Sequence, residues 1–119
     1  MRVTWITPSV MTAGGPGGAT IITTVAQLVA GVVDRDLTIG DALAASRVSS
    51  RNGPSTQLEP TLADGPVGDH LRSLGHSTTK VDRLGNATGI RIHDRDDLEA
   101  AAEPTRSGGG SAMVVSPRR

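Results

Sequence analysis

The sequence predicts an α+β fold, because one long helical pattern, two shorter capped helices and several short extended runs follow one another within 119 residues. From Ile21 to Val33 the apolar residues recur with the 3.6-residue period of a helix. Around Ile90 and Ile92 they alternate with polar residues, as in a half-buried strand. The length permits one small domain, and we assign residues 1–119 to a single, partial domain.

Composition excludes several classes of protein. The 12 Lys+Arg are balanced by 12 Asp+Glu, so bulk charge does not favour binding to nucleic acid or to an anionic membrane. With no Cys there are no disulfides, thiol nucleophiles or Cys-ligated zinc sites. Hydrophobic residues make up 36% and Trp5 is the one aromatic residue, so we expect a thin core whose packing partner is partly missing.

We predict neither a membrane span nor a signal peptide. The longest apolar stretch, Ile21 to Val33, is interrupted by polar residues and is shorter than the roughly 20 apolar residues that a bilayer helix needs. At the start of the chain, the run after Arg2 is broken at Thr4 and Pro8, unlike the apolar region of an export signal. The sequence leaves the compartment open.

The first elements follow from local patterns. Extended segments are predicted over 3–6 and 9–13, then a glycine cluster over 14–18, then the long helix. Thr38-Ile39-Gly40-Asp41 resembles a capping box and predicts a second helix that ends near Ala45.

The second half of the chain is predicted to contain shorter helices and strands. Residues 46–65 should be irregular apart from one strand near 57–59, and Asp64-Gly65-Pro66 should open a third helix capped by Gly75. Two strand-like runs, 78–81 and 89–93, are predicted to form a hairpin. A further strand over 98–102 and a flexible Gly-rich tail over 107–119 complete the chain.

The glycine cluster Gly14-Gly15-Pro16-Gly17-Gly18 is the strongest local feature, because it joins a strand to a helix. Glycine lets a backbone approach a ligand closely, and the start of a helix offers unpaired N–H groups, so this is an anion site in principle. No Lys-Ser/Thr follows, as a phosphate-binding loop requires, and the glycine spacing of a dinucleotide fold is only partly matched. The alternative is a glycine turn that feeds a buried helix and binds nothing.

Residues 11–24, M-T-A-G-G-P-G-G-A-T-I-I-T-T, resemble the T-G-S-P-G-G-x-x-I-I-T-T segment of the γ-glutamyltransferases, members of the N-terminal-nucleophile hydrolases. Later segments keep the family's order: 44–47 (A-A-S-R) is similar to its D-A-P-R, 74–76 (L-G-H) to its L-x-x-x-G-H, and 102–106 (A-E-P-T-R) to its D-P-R. The resemblance spans nearly the whole chain.

The resemblance implies a fold and several residue roles. The chain would be a piece of a four-layer αββα sandwich that need not be complete alone. The backbone N–H groups of Gly17 and Gly18 would form the oxyanion hole for γ-glutamyl transfer or hydrolysis, a task that suits preorganised donors about 3 Å from the oxyanion. Arg47 and Arg106 match family arginines that tether the small subunit to the large one. From the residues alone, we would expect both to be solvated surface arginines.

The resemblance also implies what the chain lacks. The family's nucleophile is the N-terminal Thr of its small subunit, which would lie upstream of Met1, so no nucleophile is expected in this chain. Thr23 and Thr24 fall inside a helix and cannot supply an N-terminal amine. The expected partner is an upstream polypeptide that holds the large subunit and the start of the small one. The expected substrates are γ-glutamyl compounds such as glutathione, without cofactor or metal.

Two alternatives stay open beside a γ-glutamyltransferase or glutathione-hydrolase fragment. One is an inactive remnant or a small non-enzymatic binding domain, which the thin core and missing nucleophile also fit. The other is a fragment of a related β-lactam side-chain acylase, because the residues that choose the acyl group would lie outside this chain. In each case the chain alone is expected to be inactive, and family membership leaves open whether it is exported.

Overall fold

The computed structural model describes residues 10–14, 18–93, 97–106 and 110–115. For residues 10–14 it describes the backbone alone. The elements follow in the order β1 (Val10–Gly14), one 3-10 turn (Gly18–Thr20), α1 (Ile21–Asp34), α2 (Ile39–Ala44), β2 (Val48–Ser49), β3 (Thr56–Leu58), α3 (Pro60–Ala63), α4 (Pro66–Ser73), β4 (Thr78–Lys80), β5 (Thr88–Ile92) and β6 (Leu98–Ala102). The predicted α+β class is confirmed. The extended segment expected over 3–6, and 107–109 and 116–119 of the expected tail, lie outside the described residues.

The six strands form two separate sheets. Sheet A has the order β1-β5-β6 and is antiparallel throughout, with Thr12 opposite Ile90 and Ile90 opposite Ala100. Sheet B has the order β2-β3-β4, antiparallel between β2 and β3 but parallel between β3 and β4. The hairpin predicted from 78–81 and 89–93 is therefore wrong, because β4 pairs in sheet B and β5 in sheet A.

Helix α1 forms where the apolar period predicted it and buries one face. Leu28 and Val32 pack with residues of α2 and of the segment before β5, and this small core consists of Leu28, Val32, Ile39, Ala42, Leu43 and Ala87. Gly31 permits the close packing of α1 on α2, since a Cβ there would lie 3.3 Å from the Cβ of Ala42. Ile22 and Val33 are 80% and 65% exposed, so α1 also carries apolar side chains outside its buried face.

Helix α2 begins at the predicted cap. The hydroxyl of Thr38 accepts a hydrogen bond from the Asp41 N–H at 3.0 Å. The Ile39 N–H donates to the carboxylate of Glu99 in β6, so a side chain of sheet A closes the same helix end. The local cap therefore fixes where α2 begins, and the distant acid ties that helix end to sheet A.

Residues 46–65 are more regular than predicted, because they contain two strands and helix α3. The amide of Gln27 on α1 takes the place of a neighbouring strand residue for β2. Its Nε2 donates to the Val48 carbonyl at 2.7 Å, and its Oε1 accepts from the Val48 N–H at 2.9 Å. A side chain from another element thus supplies pairing that local sequence does not show.

The third predicted helix is α4, and Gly75 follows it with the left-handed φ of +89° expected of a C-terminal glycine. The apolar positions that predicted it are not buried, since Val67 and Leu74 are 47% and 63% exposed. Among the described residues, we find no helix that is both long and apolar enough to cross a membrane.

The two faces of sheet A differ. Gly89 is buried and Ala101, opposite it, packs against the core beside α1 and α2. Because side chains alternate along a strand, Ile90, Ile92 and Leu98 lie on the other face, where each is 40–46% exposed. The alternation at Ile90 and Ile92 was predicted correctly, but these two side chains lie on the exposed face of the sheet and not on the face that packs against the core. We call Ile90, Ile92 and Leu98 the bare face.

Candidate functional site

The glycine segment joins β1 to α1, as the sequence predicts. Gly15 to Gly17 lie outside the described residues, so the predicted role of the Gly17 N–H stays a prediction. Gly18 opens the 3-10 turn Gly18–Thr20, here called the Gly18 turn. Its φ is +55°, a conformation that favours glycine, and a Cβ there would meet no atom within 4 Å. Gly18 is exposed, so its surroundings leave room for a ligand.

The threonines after this glycine are structural. Thr20 and Thr24 are each 3% exposed. The Thr23 hydroxyl donates to the Thr20 carbonyl at 3.1 Å and shares a 2.9 Å hydrogen bond with the Ser49 hydroxyl. Thr23 and Thr24 both lie inside α1, so neither has the free N-terminal amine that the family's nucleophile uses.

Arg47 and Arg106 lie together in the interior, 2% and 7% exposed, so the expectation of solvated surface arginines is wrong. Arg47 Nη2 contacts Glu103 Oε2 at 3.0 Å, and Arg106 Nη1 contacts Glu103 Oε1 at 3.0 Å. Arg106 also forms an ion pair with Glu59. We call Arg47, Glu59, Glu103 and Arg106 the charge cluster.

The charge cluster also binds backbone. Glu59 accepts from the N–H groups of Arg47 at 2.9 Å and Leu84 at 2.7 Å. Arg106 donates to the carbonyls of Leu43 at 2.8 Å and Ala45 at 3.0 Å, both at the end of α2. The cluster therefore ties the segment after β6 to α2, β3 and the loop before β5.

The charges shift one another's proton affinities. Burial by itself would raise the pKa of Glu59 and of Glu103, but the arginines, together with backbone N–H donors at Glu59, outweigh it and hold both pKa values below the ordinary range. Burial would lower the pKa of Arg106, yet Glu59 and Glu103 raise it overall. For Arg47, burial and the nearby Arg106 charge prevail and lower the pKa. Because guanidinium groups keep their proton in proteins, all four groups are charged at neutral pH.

One side of the cluster is accessible. An open cleft of about 240 Å³ is lined by Ala44, Ser46, Glu59, Asp82, Arg83, Thr105 and Arg106. Arg106 thus contacts the interior with most of its atoms and reaches a surface cleft as well.

The histidines do not form a site. His70 and His76 are exposed, and His93 Nε2 lies 3.3 Å from Glu99 Oε2. In the described part of the chain, no three His, Cys, Asp or Glu side chains are grouped so that they could hold a metal ion.

Glu59 and Glu103 were not predicted from the sequence as the partners of the two arginines. Glu103 had a signal, since it occupies the acidic position of the segment similar to the family's D-P-R. Glu59 had none, because it pairs with Arg106 across 47 residues.

The comparisons with known proteins agree on one family. The family model described as Gamma-glutamyltranspeptidase matches residues 6–113. The Glutathione hydrolase proenzyme of Bacillus subtilis (strain 168) is 31% identical over 113 residues, which is 92% of this chain but 19% of that protein. The γ-glutamyltranspeptidase of Pseudomonas nitroreducens, solved with L-DON, superposes with a TM-score of 0.78 at 28% identity, covering 98% of this chain and 61% of that one.

A related enzyme shares the fold. The cephalosporin acylase of Bacillus halodurans gives a TM-score of 0.74 at 25% identity, covering 88% of this chain and 20% of that one. In each comparison the chain spans less than two thirds of its relative, so it corresponds to part of the αββα assembly that the resemblance implied. From the matched residues, the identity and the superposition, this chain belongs to the γ-glutamyltranspeptidase family.

Proposed function

We propose that this chain supplies the oxyanion-binding turn of a γ-glutamyltransferase or glutathione hydrolase whose nucleophilic Thr is carried by an upstream polypeptide. The observation that carries the proposal is Gly18, left-handed and exposed at the start of the turn that leads into α1, in a chain of this family. The N–H groups of Gly17 and Gly18 would donate to the oxyanion of the tetrahedral intermediate. Such donors lower the barrier because they are already oriented when the charge develops.

The assay is release of chromophore from a γ-glutamyl-anilide by the chain alone and by the chain mixed with the upstream polypeptide. We expect activity in the mixture only, and a drop in kcat of at least tenfold for Gly18→Ala, whose backbone would leave the left-handed region. Gly75→Ala is the matched control, because Gly75 is also exposed, has a left-handed φ of +89°, and a Cβ added there would meet no atom within 4 Å. Activity of the chain alone would contradict the proposal.

The same assay separates the alternatives. Release of a β-lactam side chain, without release from the γ-glutamyl donor, would assign the chain to an acylase. Failure of the mixture with both donors would favour an inactive remnant or a binding domain.

We further propose that the upstream polypeptide covers the bare face with a second sheet, since stacked sheets bury their apolar sides about 10 Å apart. Ile92→Asp should leave the chain folded and reduce its binding to the upstream polypeptide at least tenfold. Leu74→Ser is the control, because Leu74 is 63% exposed but lies at the end of α4. Unchanged binding of Ile92→Asp, measured by calorimetry, would remove this surface from the interface.

For Arg106, the proposed tether to the large subunit is supported by the open cleft that its side chain lines. Arg47 is 2% exposed and does not line this cleft, so its part of the tether stays a prediction without this support. An acidic segment of the partner could reach that cleft and face the Arg106 guanidinium. Asp82→Asn removes a negative charge from the cleft wall while leaving the charge cluster intact, so it should strengthen binding of such a segment. Calorimetry with the upstream polypeptide measures the change, and unchanged or weaker binding would overturn the tether.

A further inference from the structure

The loop Leu84–Gly85, here called the Gly85 loop, packs against the start of α1. Gly85 has a φ of +63°. A Cβ there would lie 2.8 Å from the Thr24 hydroxyl oxygen and 3.3 Å from that of Thr20. The first distance is shorter than ordinary Cβ contacts, so any residue with a Cβ at position 85 would have to displace the Thr24 hydroxyl or the loop itself.

The charge cluster holds the other side of this loop. Arg47 Nη1 donates to the carbonyls of Leu84 at 3.0 Å and Gly85 at 3.1 Å. Glu59 accepts from the Leu84 N–H at 2.7 Å, and Leu84 is 3% exposed. The loop is thus fixed by buried, charge-assisted hydrogen bonds, which are stronger than neutral ones.

Thr20 is the last residue of the Gly18 turn, and the turn continues directly into α1. We propose that Gly85 is a positioning residue: it transmits the fixed geometry of Arg47 and Glu59 through Thr20 and Thr24 to the Gly18 turn. The inference rests on the proposed function for its effect on catalysis, but the mechanical link stands on the contacts alone. Arg47 acts here on the oxyanion donors from within the chain, which differs from a tether to another subunit.

The test compares Gly85→Ala with Gly75→Ala. Gly75 also has a positive φ, +89°, but a Cβ there would meet nothing within 4 Å, so this control carries the backbone strain without the contact. In the full chain, amide hydrogen exchange over 18–24 should accelerate at least tenfold for Gly85→Ala relative to Gly75→Ala. Amides of β3 should change equally in the two variants. Equal acceleration over 18–24 would overturn the proposal.

A second substitution tests the contact itself. Thr24→Ala removes the oxygen that the new methyl group meets, and the Thr24 Cβ lies at an ordinary 3.8 Å. Gly85→Ala with Thr24→Ala should therefore recover most of the lost protection, whereas Thr24→Val, which keeps a group in that place, should not. Equal recovery by both would overturn the assigned contact.

Kinetics then separate this inference from the proposed function. In the mixture with the upstream polypeptide, Gly85→Ala should lower kcat about tenfold or more and leave KM within about twofold. The reason is that a displaced oxyanion donor stabilises the transition state less but hardly changes substrate binding. Changed exchange with unchanged kcat would overturn the positioning role. If the unsubstituted mixture is inactive while the exchange results hold, the proposed function fails and the link between the loop and the turn remains.

Discussion

The charge cluster and the ion pair between β4 and the segment after α3 have the same atomic separation but different surroundings. Arg47 and Glu103 are 3.0 Å apart with side chains 2% and 0% exposed, whereas Lys80 and Asp64 are 3.0 Å apart with side chains 55% and 64% exposed. Water screens the second pair and competes for its hydrogen bonds. Distance therefore does not rank these interactions, and burial with additional backbone partners does.

Loss of one buried acid should have the largest effect. Glu59→Gln removes the charge that faces Arg106 and presents an amide N–H₂ to donors, so we expect the free energy of unfolding to fall by about 3–5 kcal/mol. Urea denaturation followed by circular dichroism measures it. Asp64→Asn is the control in the exposed pair. A change below about 1 kcal/mol for Glu59→Gln would show that the cluster is not the main support of this region.

Replacing Arg106 by a residue with the same charge but a different shape should lower stability less than Glu59→Gln does. Arg106→Lys retains one positive charge, but a single ammonium cannot reach Glu59, Glu103 and the Leu43 carbonyl together. We expect a loss of about 2–3 kcal/mol, in the range for hydrogen bonds to charged groups. Arg51→Lys, at an exposed position, should change stability by less than about 0.5 kcal/mol. Equal losses in the two variants would contradict the ranking by burial.

The cluster should also make stability depend on acid pH. The pKa values of Glu59 and Glu103 are lower in the fold than the ordinary Glu value of about 4.3 in an unfolded chain. Their contribution is therefore fully present above pH of about 4.3 and is lost as the pH falls through the lower, folded values. Unfolding free energies measured from pH 6 downward should fall more steeply for the natural chain than for Glu103→Gln. Parallel curves would mean that Glu103 does not titrate with folding.

The elements predicted best from the sequence are those whose boundaries are set by neighbouring residues. The apolar period indicated α1, the Thr38 hydroxyl the start of α2, and Gly75 the end of α4. The hairpin failed because 78–80 pair in parallel with β3, a strand that the sequence indicated near 57–59 but whose partner its own residues do not specify. The family motif located Gly18 but not the burial of Arg47, which depends on Glu103, 56 residues away.

The smallest effect belongs to the exposed pair, and it sharpens the comparison most directly. Asp64→Asn removes the partner of Lys80 at the surface, and we expect a change of about 0–1 kcal/mol that disappears when salt is raised to about 1 M, where screening acts over about 3 Å. The loss from Glu59→Gln should persist at the same salt, because ions do not enter the space between buried groups. Denaturation of both variants at low and high salt measures the two responses. If salt abolished both losses, the charge cluster would be open to solvent, and its hold on the Gly85 loop would be too weak to position the Gly18 turn.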